Sequence, residues 1–120
     1  AKIGILHGAA SHVCQNDEGQ IEETQSISAG LDYPGVSPIH CFLKDIKRAR
    51  YTYATDEDAL NAYKMIKKFE KINPSLEPSH AFAEAIRIAP KLNKDTVVIV
   101  NSCGDAEKDR DILKARLGNY

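Results

Sequence analysis

The sequence predicts an α/β fold: a layered open sheet, mostly parallel, with helices on both faces in a three-layer αβα arrangement. Three observations carry that expectation. Val97-Val98-Ile99-Val100 is an unbroken β-branched run bounded by polar residues, the pattern of a strand buried on both faces of a parallel sheet. Strand-like stretches alternate with stretches whose apolar residues recur at spacings of three and four. The chain has 120 residues, 42% of them hydrophobic, which is enough for a single domain over 1–120 with a core of its own.

Taken in order, Ile3-Gly4-Ile5-Leu6 reads as a short strand. The polar run Gln15 to Gly19 is a turn signal. Gly19 to Val36 then shows neither helix nor strand period. A long aperiodic loop in a compact domain is usually functional or disordered, and this one has no low-complexity bias and no block of like charge. Pro38 suits the first turn of a helix, and Ile39, Phe42, Leu43 and Ile46 supply its apolar face. Ala49 to Ala54 alternates Arg50 and Thr52 with Tyr51 and Tyr53, the pattern of a half-buried strand.

Thr55 caps the next helix, with Asp56, Glu57 and Asp58 opposing the positive end of its dipole. Leu60, Tyr63, Ile66 and Phe69 form its predicted core face, and Asn73-Pro74 breaks it. A helix starting between Ser75 and Pro78 faces inward through Phe82, Ala85, Ile86 and Ala89 and stops at Pro90. After the Val97 run, the turn Asn101-Ser102-Cys103-Gly104 leads to a last helix with Ile112, Leu113 and Leu117 inward.

Charge and composition exclude several classes. Sixteen basic against seventeen acidic residues leave a net charge of −1, so neither nucleic acid nor an anionic membrane is an expected partner. No apolar run approaches the roughly 20 residues of a membrane helix, and the stretch from Ala1 has no signal-peptide layout. Three widely spaced cysteines argue against a disulfide framework and for a reducing compartment, hence a cytoplasmic location.

Two places invite chemistry. Cys103 and Gly104 lie beyond the carboxyl end of the Val97 strand, where open α/β sheets bind ligands. Asp105 and Glu107 at the following helix start disfavour a phosphate there, so a neutral or cationic group suits the turn better. Asp32 lies in the long loop just before Pro34-Gly35, where a plain turn aspartate is the simpler reading. His7, His12 and Cys14 lack a fourth zinc ligand and the usual spacing, and nothing ties Cys103 to His80 as nucleophile and base.

Ser26-Ile27-Ser28-Ala29-Gly30-Leu31-Asp32-Tyr33-Pro34-Gly35 closely resembles a signature of the tryptophan synthase β-subunit family, fold-type II enzymes that use pyridoxal phosphate. Ser75-Leu76-Glu77-Pro78-Ser79-His80-Ala81 is similar to the family run Pro-Ala-Leu-Glu-Ser-Ser-His-Ala. Asn101-Ser102-Cys103-Gly104-Asp105-Ala106-Glu107 is similar to Asn-Leu-Ser-Gly-Arg-Gly-Asp, with Lys108-Asp109 keeping the register. The resemblance runs from Ile3 to about Leu117 and covers only the C-terminal part of the family protein.

The resemblance implies condensation of L-serine with indole to L-tryptophan and water by β-replacement, the last step of tryptophan biosynthesis. It implies that Asp32 governs the substrate hydroxyl and closure of the site, and that Glu77 supports proton and charge movements beside the cofactor ring. Cys103 falls where the family has a serine hydroxyl facing the pyridine nitrogen, with Gly104 beside it. The thiol is a weaker, larger, but still neutral partner. Tyr33 and Gly35 fall where backbone carbonyls ligate a monovalent cation, Leu6 and His7 match positions lining the indole channel, and His80 is expected to make a structural hydrogen bond. The implied partners are the α subunit, with the loop near His7 to Gly19 as a contact region, and a second β subunit.

The sequence departs from the family at Asp105 and Ala106, which replace an arginine and a glycine. It also contains no His-Lys-Thr/Asn element to supply the Schiff-base lysine and no Gly-Gly-Gly-Ser-Asn-like run for the cofactor phosphate. The expectation is therefore a half-site, inactive alone, with the lysine in an N-terminal half absent from these residues. Two other readings stay open: a non-catalytic binding or regulatory domain derived from this fold, and another pyridoxal-phosphate-dependent lyase acting on serine.

Overall fold

The computed structural model describes residues 1–118. It contains four α-helices and a two-stranded antiparallel sheet, so the chain is an α/β protein. The chain divides into two compact units. One comprises Ala1–Ser26 and Gly30–Tyr51; the other comprises Ile27–Ala29 and the chain from Thr52 on.

The first unit is built on a hairpin. β1 (Lys2–Leu6) pairs with β2 (Ala9–Val13) in a register that sets Leu6 opposite Ala9. Only His7 and Gly8 lie between the strands, with φ of 51° and 76°. Two left-handed residues give the turn whose twist matches a hairpin. β2 corrects the expectation of a loop over His7 to Gly19: Ala-Ala-Ser-His-Val has little strand propensity of its own, and pairing with β1 imposes the conformation. Along β2, Ser11 and Val13 are buried on one face. Gly35 bridges to Val13, and the Cys14 N–H donates to the Pro34 carbonyl at 2.7 Å. These bonds bring the end of the long loop alongside the hairpin.

α1 (Pro38–Asp45) starts where Pro38 predicts, with the Ser37 hydroxyl accepting the Ile39 N–H. Its apolar face is not covered: Ile39, Phe42 and Ile46 are all more than half exposed.

The second unit is a helical cluster. α2 (Asp56–Glu70) opens on a complete capping box. The Asp58 N–H donates to the Thr55 hydroxyl, and the Thr55 N–H donates to the Asp58 carboxylate at 2.9 Å. The Thr55 N–H, with the Thr55 hydroxyl as a second donor, holds the Asp58 carboxyl below its ordinary value. A depressed carboxylate contributes stability that is present above its unfolded pKa of 3.8 and is lost as pH falls through the lower folded value. Thr55→Ala is expected to destabilise this unit by about 1 kcal/mol, read from the urea midpoint.

α2 ends earlier than Asn73-Pro74, because Lys71 turns left-handed with φ 61°. Its buried residues are Ala59, Ala62 and Tyr63, while Phe69 is 64% exposed. The seam with α3 (Leu76–Ile88) therefore runs along the small residues, which let two backbones approach. Pro90 does not end α3 abruptly; a 3₁₀ turn over Ala89–Lys91 carries the chain through it. α4 (Arg110–Leu117) follows a second 3₁₀ turn, Ala106–Asp109, and buries Leu113 with Ile112 and Leu117 beside it, as the spacing predicts. The core joins Ile27, Tyr63, Leu76 and Leu113.

Two predicted strands are not formed. Ala49 to Ala54 and Val97 to Val100 carry no sheet pairing, and Val97 and Ile99 are 84% and 90% exposed. A β-branched run forms a strand only where a neighbouring strand meets its N–H and C=O groups. Among the described residues the only sheet is the β1–β2 hairpin.

Candidate functional site

The first turn of α3 and the Cys103-Gly104 turn come together. The Ser75 hydroxyl donates to the Cys103 carbonyl at 2.9 Å. Gly104 adopts φ 88°, and a Cβ built on it would lie 2.5 Å from Ser75 Oγ and 3.7 Å from Glu77 Oε2. The absence of a side chain at Gly104 is what allows this approach. Cys103 is exposed and forms no disulfide.

Glu77 is largely buried, with 19% of its side chain exposed, and accepts from Lys108 Nζ. The hydrogen bond to Glu77 pushes the Lys108 ammonium above its ordinary value, against an opposing effect of burial, with Asp109 adding to the rise. A raised lysine contributes stability in full below its unfolded pKa of 10.5 and loses it as pH climbs through the folded value. Lys108→Met is thus expected to flatten the alkaline end of the stability profile, because the group that titrates there is gone. Urea midpoints across an alkaline pH series check this.

His80 lies one turn on, with Nδ1 2.7 Å from the Leu76 carbonyl. A carbonyl can only accept, so Nδ1 carries the proton and the imidazole braces the helix. Asp105 Oδ1 accepts the Glu107 N–H at 2.9 Å. A carboxylate thus already occupies the start of this turn, where a phosphate would need free N–H groups.

Asp32, Tyr33 and Gly35 belong to the other unit. Asp32 is exposed. Tyr33 stacks on His7 with ring centroids 6.2 Å apart and planes 13° from parallel. With Leu6, Gly35 and Val36 these rings line a cavity of about 300 Å³. The carbonyls of Tyr33 and Gly35 flank that of Pro34, which takes the Cys14 N–H. The structure therefore gathers Glu77, Cys103 and Gly104 in one unit and Asp32, Tyr33 and Gly35 in the other.

Across 98% of its length the chain is 49% identical to the tryptophan synthase beta chain of Bordetella petrii, over 117 residues. The chain is homologous to the C-terminal part of tryptophan synthase beta chains. The beta chain of Bordetella bronchiseptica is also 49% identical and that of Bordetella pertussis 48% identical, over the same span. The chain spans about 29% of the length of these beta chains. No family model matches it.

Three residues of this neighbourhood carried no role in the sequence reading: Ser75, Lys108 and Asp109. Each acts on a partner about 30 positions away, beyond the reach of local periodicity. The one available signal was that Lys108-Asp109 keep the beta-chain pattern where Asp105 and Ala106 depart from it.

Proposed function

We propose that this chain is the C-terminal part of a tryptophan synthase beta chain, a pyridoxal-phosphate-dependent lyase that joins L-serine to indole to give L-tryptophan and water. The observation that carries the proposal is 49% identity sustained over 98% of the chain. Pyridoxal phosphate, when bound, supplies the electron sink for β-replacement. The residues present suit it: a neutral thiol at Cys103 for the pyridine nitrogen, a glycine beside it that leaves room, and a carboxylate held at Glu77. Glu77 would hold or move protons near the ring. Asp32 would orient the substrate hydroxyl and favour a closed site that excludes water. The carbonyls of Tyr33 and Gly35 would take a monovalent cation.

In this reading the finer architecture is the layered, mostly parallel αβα sheet of a fold-type II enzyme. Val97 to Val100 would pair as a strand there, which accounts for so apolar a run standing 84% and 90% exposed at Val97 and Ile99. The Schiff-base lysine and the phosphate loop would come from the rest of the beta chain, so these 120 residues alone would make no tryptophan. The partners are an α subunit and a second β subunit, and the location is cytoplasmic. No described helix is long and apolar enough to cross a membrane.

The test is a full-length chimera in which this chain replaces the matching part of the Bordetella petrii beta chain. It is expected to form tryptophan from serine and indole. Asp32→Asn and Glu77→Gln are each expected to lower kcat at least tenfold, roughly 1.4 kcal/mol of lost transition-state stabilisation. A chimera that binds pyridoxal phosphate and only deaminates serine would favour another lyase, and one that does not bind it would favour a non-catalytic domain.

A further inference from the structure

Two residues that begin helices do not cap them. Ser75 stands at the N-cap of α3 in extended backbone, with no side-chain cap bond. Its hydroxyl goes to the Cys103 carbonyl instead. Asp109 stands at the N-cap of α4, also with no cap bond there. Its carboxylate accepts the Leu76 N–H, at the start of α3, at 2.7 Å. Each residue ties down the other's segment. A first-turn N–H has no partner within its helix, and a carboxylate there meets the positive end of the dipole.

Asp109 is 1% exposed, and a buried charge must be met. Leu76 N–H meets Oδ2, and Lys108 Nζ lies 3.6 Å from Oδ1. The same ammonium donates to Glu77. Lys108 thus stands between a fully buried carboxylate and the carboxylate of the candidate site.

We propose that Asp109, acting through Lys108 and the Leu76 N–H, is the positioning residue that fixes the Glu77 carboxylate against the Cys103-Gly104 turn. The inference rests on the reading of Glu77 as a site residue. Glu77 is the second residue of α3, so any rotation of the first turn swings its carboxylate. The clearance is small: the absent Gly104 Cβ would stand 3.7 Å from Glu77 Oε2. Asp109 holds this turn at its backbone and its side chain at the ammonium. Neither hold lies within α3.

The experiment uses the full-length chimera carrying Asp109→Asn, Lys108→Met or Lys108→Arg. Asparagine keeps an acceptor oxygen for Leu76 N–H and removes the charge facing Lys108. In cofactor-free protein, Lys108 is labelled with limiting acetic anhydride at fixed alkaline pH and quantified by peptide mass spectrometry. Asp109→Asn is expected to speed Lys108 labelling several-fold with little change in thermal midpoint. With pyridoxal phosphate bound, Asp109→Asn and Lys108→Met are expected to shift the cofactor's absorbance band and lower kcat more than they raise KM for serine, and Lys108→Arg to restore both.

Unchanged labelling together with an unchanged absorbance band in Asp109→Asn would overturn the proposal. If that variant does not fold, a folded Lys108→Met protein with the parent absorbance band would overturn it. If the unsubstituted chimera binds no pyridoxal phosphate, the reading of the site falls, and the labelling result alone decides the positioning claim.

Discussion

Gly104→Ala is expected to destabilise the helical unit by about 2–5 kcal/mol and to displace the turn that carries Cys103. Two costs add. A left-handed backbone costs an alanine about 1–2 kcal/mol, and Gly104 has φ 88°. The new methyl would also stand 2.5 Å from Ser75 Oγ and 3.3 Å from Ser75 Cβ. The hydroxyl could rotate away, but only by giving up its bond to the Cys103 carbonyl, and the Cβ contact would remain. Overpacking of this kind typically adds 1–3 kcal/mol. Gly8→Ala is the control for backbone strain: its φ is 76°, yet among the described residues nothing lies within 4 Å of the added carbon. It should show the backbone cost alone, about 1–2 kcal/mol. Urea midpoints of the two variants separate strain from collision. Equal losses would mean that Ser75 does not press on Gly104.

The same contacts explain which parts of the molecule could be read from sequence. The capping box of α2 is written in four consecutive residues, Thr55 to Asp58, so both cap and acidic turn were legible. α4 shows its inward Leu113 at plain helical spacing. The hairpin was half visible. β1 carries two isoleucines, but β2 is Ala-Ala-Ser-His-Val and takes its conformation from its partner. A histidine in the first left-handed position hid the turn further, since glycine or asparagine is the usual signal there.

Apolar size misled only in part in α2: Tyr63 is buried and Leu60 packs against the core as expected, whereas Phe69 is exposed and Ala59 and Ala62 are buried beside them. In Val97 to Val100 the pattern describes a buried strand, while these residues have no sheet pairing. Pattern specifies what a segment can do; a partner decides whether it does it. The candidate site follows the same division. Glu77, Cys103 and Gly104 were marked by their likeness to family runs, whereas Ser75, Lys108 and Asp109 matter through bonds spanning about 30 residues.

Leu76→Ala is expected to cost about 2–5 kcal/mol, the range for emptying a well-packed leucine site. Leu76 is completely buried and closes a cluster with Ile27, Tyr63 and Leu113. The substitution leaves its backbone N–H on Asp109, so the loss would report packing and not the clip at the start of α3. Phe69→Ala is the instructive comparison. Helical spacing puts Phe69 on the core face of α2, but it is 64% exposed, so its truncation should stay within about 0.5 kcal/mol. Chemical denaturation of both variants therefore tests the core directly. A Phe69 cost equal to that of Leu76 would restore the larger apolar face as the seam. The expected contrast would place the core in the cluster around Leu76, whose own N–H is tied to Asp109.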